Sequence, residues 1–155
     1  KPSSQQIKHW HQLYLNLKRN KSELNTFNLP FKIFKELSQA KNWEIIELRL
    51  KPEFNIDNKP VSVIFNYISG DTYSLMMIGM DLSFPEFNCY QQTVYTGIKR
   101  AEQLGLKKVY MGMTSSFEKR KFCAETLSTY SYLQIDDHYN MEVIGSISNL
   151  KHLKA

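Results

Sequence analysis

The residues with the clearest chemical potential stand together in the second half of the chain. Gly112 precedes the hydroxyls of Thr114 and Ser115, and a run of cations begins at Lys119. Hydroxyl and ammonium groups can bind phosphate or carboxylate oxygens, and a glycine lets the backbone approach a ligand closely. We therefore predict that Gly112, Thr114, Ser115 and Lys119 bind an anion or the donor of a transferred acyl group.

The same residues also have a purely structural interpretation. Ser115 lies three residues before Glu118, a spacing typical of the capping box at the start of a helix. Lys119, Arg120 and Lys121 cannot all point the same way on a helix, so at most two of them could line a site. Solvated surface charge explains these cations equally well, and both interpretations stay open.

Two further residues have side chains suited to proton transfer. Asp81 stands at the end of a β-rich run, where it could act as a general base toward an amine or could simply terminate the strand. Tyr130 could protonate a leaving thiolate, as could Tyr132, although most buried tyrosines pack with the hydroxyl satisfied. We take Asp81 and Tyr130 as the candidate catalytic residues.

The sequence predicts neither a metal site nor a membrane segment. His138 follows two aspartates but has no second histidine at a spacing that binds zinc. Cys89 and Cys123 are the only two cysteines and form no Cys-x-x-Cys pair, as in proteins of a reducing cytoplasm. The longest apolar run, near residues 75–80, is far too short to span a bilayer. We expect a cytoplasmic protein that holds no metal and contacts no membrane.

Length and composition predict one packed domain. The chain has 155 residues, of which 42% are hydrophobic and 13% aromatic. It begins with Lys1 rather than Met, so we expect it to be part of a longer, multidomain protein. The net charge is +5, and residues 99–121 carry seven basic groups against two acidic ones. Such a segment can attract anions or nucleic acid, but no motif that reads nucleic acid accompanies it.

Hydrophobic periodicity and turn residues predict the elements that position these groups. The predicted helices cover residues 7–19, a segment from Pro30, Tyr90–Leu104 before the stop at Gly105, and a short segment near Glu125. The predicted strands cover Trp43–Leu50 with one face in solvent, a hairpin of 61–68 and 73–80, Lys107–Met111, and a second hairpin of 129–135 and 141–147.

A helix between the second strand of the first hairpin and a later strand indicates a parallel crossover. The predicted fold class is therefore α/β (α+β), with a central mixed, mostly antiparallel sheet flanked by helices. We expect residues 1–155 to form a single domain, with N-terminal helices over 1–42 and the sheet and crossover helix over 43–150.

Over about residues 60–130 the chain resembles the GNAT family of acyltransferases. The matching features are Gly79-x-Asp81, Tyr90 opening a helix, Ala101-Glu102-Gln103-Leu104-Gly105 closing it, Gly112, Thr114-Ser115, Lys119-Arg120 and Phe122-Cys123-Ala124. More narrowly, the second half is similar to the GNAT-like domains beside or fused to 8-amino-7-oxononanoate synthase-type enzymes, which are relatives of the peptidyltransferases of cell-wall bridge synthesis. The resemblance implies an acyl-CoA or acyl carrier thioester donor, a small-molecule amine acceptor, a cation at Lys119, and a fused or partner pyridoxal phosphate-dependent enzyme.

One segment departs from the family's pattern. Mainstream members hold the coenzyme A pyrophosphate on a glycine-rich loop before the central helix, with backbone N–H groups pointed at phosphate. Here residues 81–88 contain no glycine, one proline and two carboxylates. Either the donor is held elsewhere, or it is not coenzyme A, or the fold persists without the activity. Acyl transfer is the leading prediction; a non-catalytic accessory domain of a larger pyridoxal phosphate-dependent enzyme comes second, and a nucleic-acid-binding module is least favoured.

Overall fold

The computed structural model describes residues 1–20, 27–54, 57–112 and 116–128, together with Tyr139, Glu142 and Gly145. The chain divides into two compact units, Lys1–Glu125 and Thr126–Ala155. The first unit contains every helix and strand discussed below. In the second unit, Tyr139, Glu142 and Gly145 are helical. That the whole of 1–155 forms one domain stays a prediction.

The first unit is an α/β domain built on a four-stranded sheet. Its elements in chain order are α1 (Ser4–Arg19), α2 (Phe31–Leu37), β1 (Trp43–Leu48), β2 (Ser62–Ser69), β3 (Thr72–Met80), a short 3-10 helix (Pro85–Phe87), α3 (Cys89–Gln103), β4 (Lys108–Tyr110) and α4 (Ser116–Arg120). The strands lie in the order β1-β2-β3-β4. The first two pairings are antiparallel and β3 pairs with β4 in parallel. The predicted fold class is confirmed.

Helix α1 covers one face of the sheet because its apolar residues recur at helical spacing. The Ser3 side chain caps the helix by accepting a hydrogen bond from the Gln6 N–H at 3.1 Å. The buried side chains of the helix are Ile7, Trp10, Leu13 and Leu17. The first three join Phe34 of α2 and Val63 and Phe65 of β2 in one apolar cluster, and each such buried side chain contributes about 1.5–3 kcal/mol.

Helix α3 covers the opposite face. Val94 and Ala101 pack with Ile64, Tyr73 and Leu75 from the two central strands. The helix ends as the sequence predicts, because Gly105 adopts a left-handed conformation with a φ of 67°. The N–H of Leu106 donates to the Ala101 carbonyl, which completes the hydrogen-bond pattern of a Schellman cap.

Strand β1 differs from its prediction, because all six of its residues are half-buried and neither face is left fully in solvent. Glu47 accepts hydrogen bonds from Gln6 Nε2 at 2.8 Å and Trp10 Nε1 at 2.6 Å, both on α1. On the other face Glu44 accepts from Tyr73 Oη at 2.6 Å and from the Arg100 guanidinium at 2.7 Å. Burial raises the pKa of each glutamate, but these hydrogen bonds outweigh it and the pKa of both is lowered. Each carboxylate therefore attaches one flanking helix to the sheet.

The C-terminal predictions agree less well with the structure. The helix expected near Glu125 lies instead at Ser116–Arg120, and residues 124–128 form neither helix nor strand. The strand expected over 141–147 is wrong at Glu142 and Gly145, which are helical. The rest of that predicted hairpin lies outside the described residues. Strand β4 is three residues long, shorter than the predicted 107–111.

Candidate functional site

Strand β3 contains a β-bulge at Met76. Leu75 pairs with Asn66 and Met77 pairs with Phe65, so Met76 is an extra residue with no partner on β2. Its side chain is 49% exposed. The bulge changes which residues face each helix, because Leu75 packs toward α3 whereas Met77 packs toward α1. Bulges of this kind occur often beside active sites, where they redirect side chains and end strand pairing.

The bulge coincides with the point where β3 and β4 separate. Strand β4 pairs only with Thr72, Tyr73 and Ser74. Within the described part of the chain, no strand pairs with that side of β3 from Leu75 to Met80, a stretch that we call the open edge. The Asp81 N–H donates to the Val61 carbonyl at 2.8 Å. Because antiparallel residues alternate, Ile78 and Met80 direct their backbone N–H and C=O groups toward the open edge.

Two of the predicted site residues meet at the first end of the open edge. A Cβ atom at Gly112 would lie 3.7 Å from the Leu75 carbonyl oxygen and 3.9 Å from Lys119 Nζ. Gly112 has a φ of 74°, a conformation that favours glycine. Lys119 on α4 thus places its ammonium group beside Gly112, where the two parallel strands part.

Asp81 lies at the opposite end of the open edge. It follows Leu75 by six residues, which corresponds to about 20 Å of extended strand. Its Oδ1 accepts a hydrogen bond from the Ser83 N–H at 3.0 Å, the Asx-turn contact expected of a residue that ends a strand. The structure therefore does not bring Asp81 together with Lys119. Thr114, Ser115 and Tyr130 lie outside the described residues.

A hollow of about 190 Å³ opens at the Asp81 end, where α3 begins. Nine residues line it, and Asp81 is the one charged residue among them. Asn88 precedes the helix in a left-handed conformation, and its side chain makes no capping hydrogen bond. The first backbone N–H groups of α3, which point out of the N-terminal end of the helix, therefore receive no capping hydrogen bond from the Asn88 side chain.

Buried hydroxyls fix the first turn of α3 to the sheet beneath the hollow. Thr93 Oγ1 lies 2.8 Å from Ser62 Oγ and 2.7 Å from the Cys89 carbonyl oxygen. Ser62 Oγ in turn donates to the Gly79 carbonyl at 3.0 Å. Burial raises the pKa of the Cys89 thiol, and the charges of Asp81 and Glu86 raise it further. Cys89 therefore remains a thiol rather than a nucleophilic thiolate at neutral pH.

A side-chain contact connects the hollow with α4. Gln91, which lines the hollow, donates from Nε2 to Glu118 Oε2 on α4 at 3.1 Å. Glu118 also pairs with Lys121 Nζ at 2.8 Å. The hydrogen bond from Lys121 lowers the pKa of Glu118. Sequence reasoning identified Glu118 only as a possible capping residue and gave no signal for Gln91.

The described residues contain no cluster of three or more His, Cys, Asp or Glu side chains able to hold a metal ion. In the same part of the chain, no helix combines the length and apolar character needed to cross a membrane.

Sequence comparison identifies the family. Residues 3–140 match the family described as "Acetyltransferase (GNAT) domain". The chain belongs to this family. No curated protein matches the sequence of this GNAT domain.

Solved structures show the same fold at low sequence identity. An aminoglycoside acetyltransferase from an uncultured soil metagenomic sample, in complex with sisomicin, has a TM-score of 0.62 at 11% identity, covering 87% of this chain and 93% of that one. Aminoglycoside N-acetyltransferase AAC(6')-Iy in complex with CoA has a TM-score of 0.59 at 13% identity, with coverage of 86% and 96%. Glucosamine-6-phosphate N-acetyltransferase from Arabidopsis thaliana has a TM-score of 0.55 at 12% identity, with coverage of 88% and 97%.

Proposed function

We propose that this GNAT domain transfers an acyl group from a thioester donor to the amine of a small molecule, with the donor lying along the open edge of β3. The observation that carries the proposal is the separation of β3 from β4 at the Met76 bulge. An extended donor with amide groups, such as the pantetheine arm of an acyl thioester, can pair with the backbone groups that Ile78 and Met80 direct toward the open edge. This is the strand-addition mode by which sheet edges bind extended chains.

The reaction joins an amine nitrogen to the thioester carbonyl carbon. The C–N bond forms, the C–S bond breaks, the amine loses a proton and the departing thiolate gains one. Negative charge develops first on the carbonyl oxygen and then on sulfur, so a nearby cation lowers the barrier. We assign this role to Lys119, whose ammonium group lies beside Gly112 at the start of the open edge.

The remaining candidates keep their predicted roles as part of the proposal. Tyr130 would protonate the thiolate, and Thr114 and Ser115 would bind donor oxygens beside Gly112. Asp81 would act as the base only if the amine met the thioester carbonyl near the hollow instead of beside Lys119, because about 20 Å of strand separates Asp81 from the Lys119 end.

The donor and acceptor classes are supported by the neighbouring structures. One neighbour contains CoA, and others are named as acetyltransferases of aminoglycosides or of glucosamine-6-phosphate. An amino sugar is therefore the first acceptor class to test. The acyl carrier thioester and the pyridoxal phosphate-dependent partner find no support in the comparisons and remain predictions.

The test is a transferase assay with acetyl-CoA and a panel of amines that includes aminoglycosides and glucosamine-6-phosphate. Thiol release and the mass of the acetylated product are both measured. We expect Lys119→Met to lower kcat by about 100- to 1,000-fold, the range found when one donor to the developing oxyanion is removed. Arg120→Met is the matched control, since Arg120 is exposed on the same helix, and it should stay within about twofold, as surface substitutions usually do.

A non-catalytic accessory domain is the second candidate, favoured by the lack of any basic side chain among the residues lining the hollow. This candidate predicts no thiol release with any acceptor. Equal activities of Lys119→Met and wild type would refute the role of Lys119 without refuting the transfer.

A further inference from the structure

We infer that this domain recognises its donor through the pantetheine arm and not through a diphosphate, and that Asp81 and Glu86 determine this selectivity. The inference rests on the proposed function and names the part of the donor that the site binds. It concerns the hollow at the start of α3, which is the end of the open edge farthest from Lys119.

The charges around the hollow disfavour a diphosphate. Its lining includes Asp81 but no Lys or Arg. Glu86 lies in the short 3-10 helix Pro85–Phe87, two residues before Asn88, the N-cap residue of α3. The N-terminus of a helix supplies the equivalent of about half a positive charge. Two carboxylates exceed that charge, so the local field at the start of α3 is negative.

Two observations place this negative field at the first residue of α3. The Asp81 carboxylate is held in place by the Ser83 N–H, so it cannot easily swing away from the hollow. The charges of Asp81 and Glu86 both act on the Cys89 thiol and disfavour its ionisation, in addition to the larger effect of burial. A phosphate group bound at the same place would meet the same repulsion.

The open edge offers hydrogen-bonding groups for the pantetheine arm, whereas the hollow offers no cation for a diphosphate. The backbone groups of Ile78 and Met80 are neutral hydrogen-bonding groups that pair with amides. A pantetheine arm offers such amides whether it belongs to CoA or to the prosthetic group of a carrier protein. The chemistry common to both sources is therefore the pantetheine thioester, and the adenosine diphosphate of CoA should add little affinity.

The experiment is calorimetric titration of the whole chain with three donors: acetyl-CoA, acetyl-4'-phosphopantetheine and acetyl-pantetheine. We expect the three dissociation constants to agree within about tenfold, a difference of about 1.4 kcal/mol. Raising the salt concentration should leave the affinity for acetyl-CoA unchanged or increase it, because salt screens the repulsion. Tighter binding of acetyl-4'-phosphopantetheine than of acetyl-CoA would favour a carrier-protein donor.

Charge-neutral variants test the two carboxylates directly. Asp81→Asn keeps an oxygen to accept the Ser83 N–H, and Glu86→Gln changes an exposed side chain. The double variant should bind acetyl-CoA at least about fivefold more tightly and should bind acetyl-pantetheine within twofold of wild type. Glu102→Gln, which removes one exposed negative charge at the far end of α3, is the matched control and should change neither affinity.

The outcomes separate this inference from the proposed function. The inference is overturned if the wild-type protein binds acetyl-CoA more than about tenfold more tightly than acetyl-pantetheine. It is also overturned if the double variant binds acetyl-CoA as the wild type does. Either result leaves the acyl-transfer proposal standing. Failure of all three donors to bind overturns the acyl-transfer proposal itself.

Discussion

Helix α1 and the sheet approach each other closely at Gly79, which yields a sharp prediction for Gly79→Ala. A Cβ atom there would lie 2.5 Å from the Tyr14 backbone nitrogen and 2.8 Å from the Leu13 carbonyl carbon. Both atoms belong to the backbone of α1, so no side-chain rotation relieves the clash. The helix must move by about 1 Å to restore ordinary contact. Overpacking costs about 1–3 kcal/mol and occasionally more, and we expect a loss of about 3 kcal/mol or more.

Gly97→Ala is the matched control, because it also adds a methyl group at a buried glycine. Its Cβ would lie 2.7 Å from Leu75 Cδ2, the end of a side chain that can adjust. Replacing glycine by alanine inside a helix also gains about 1 kcal/mol of helix propensity. The clash and the gain oppose each other, so we expect a net change within about 1 kcal/mol.

The assay is urea unfolding followed by Trp10 and Trp43 fluorescence and by circular dichroism. The quantity compared is the free energy of unfolding, provided that the slope with urea is the same for all proteins. A loss below about 1 kcal/mol for Gly79→Ala would refute the reasoning, because overpacking against backbone should cost more. Equal losses of unfolding free energy for the two variants would also refute it, because a methyl group would then be tolerated equally well against backbone and against side-chain atoms.

Two further predictions concern buried polar groups. Glu44→Gln should destabilise the fold by about 1–3 kcal/mol at neutral pH, because it weakens the partnership with the buried Tyr73 hydroxyl. The pKa of Glu44 is lowered in the folded state, so the carboxylate stabilises the fold above the unfolded pKa of about 4.3. The difference in the free energy of unfolding between variant and wild type should therefore shrink as pH falls below that value. A difference that does not change with pH would count against this prediction. Thr93→Val should cost about 1–2 kcal/mol because buried Ser62 loses a partner. Thr96→Val, which removes an exposed hydroxyl bond on the same helix, should stay within about 0.5 kcal/mol in thermal unfolding.

The sequence predicted the order of elements over the first unit because that order rests on local signals. Helical spacing marks α1 and α3, and Gly105 marks the end of α3. The bulge at Met76 has no such signal, since residues 73–80 show the β propensity of an uninterrupted strand. The two faces of β1 were misjudged because Gln6, Trp10 and Arg100 lie far away in sequence, and a charged residue on a strand ordinarily indicates solvent.

For the candidate site, the sequence groups residues that are close along the chain, and their roles stay predictions. Gly112 and Lys119 are seven positions apart, and a Cβ atom at Gly112 would lie 3.9 Å from Lys119 Nζ. Asp81 lies at the opposite end of the open edge, beside the start of α3, and its role as a base stays a prediction. The composition of residues 81–88, with no glycine and two carboxylates, argues against a diphosphate. The proposed donor selectivity depends on the same two carboxylates. Thr114, Ser115 and Tyr130 stay predictions.

Strand β1 has a consequence for how the domain loses its structure. An edge strand usually opens first because half of its backbone groups lack a partner strand. Here detaching β1 would deprive α1 of its Glu47 contacts and α3 of its Glu44 contacts in one event. The two helical layers never need to touch each other to be coupled. The outermost strand thereby joins both layers into one cooperative unit, instead of acting as the first segment to fray.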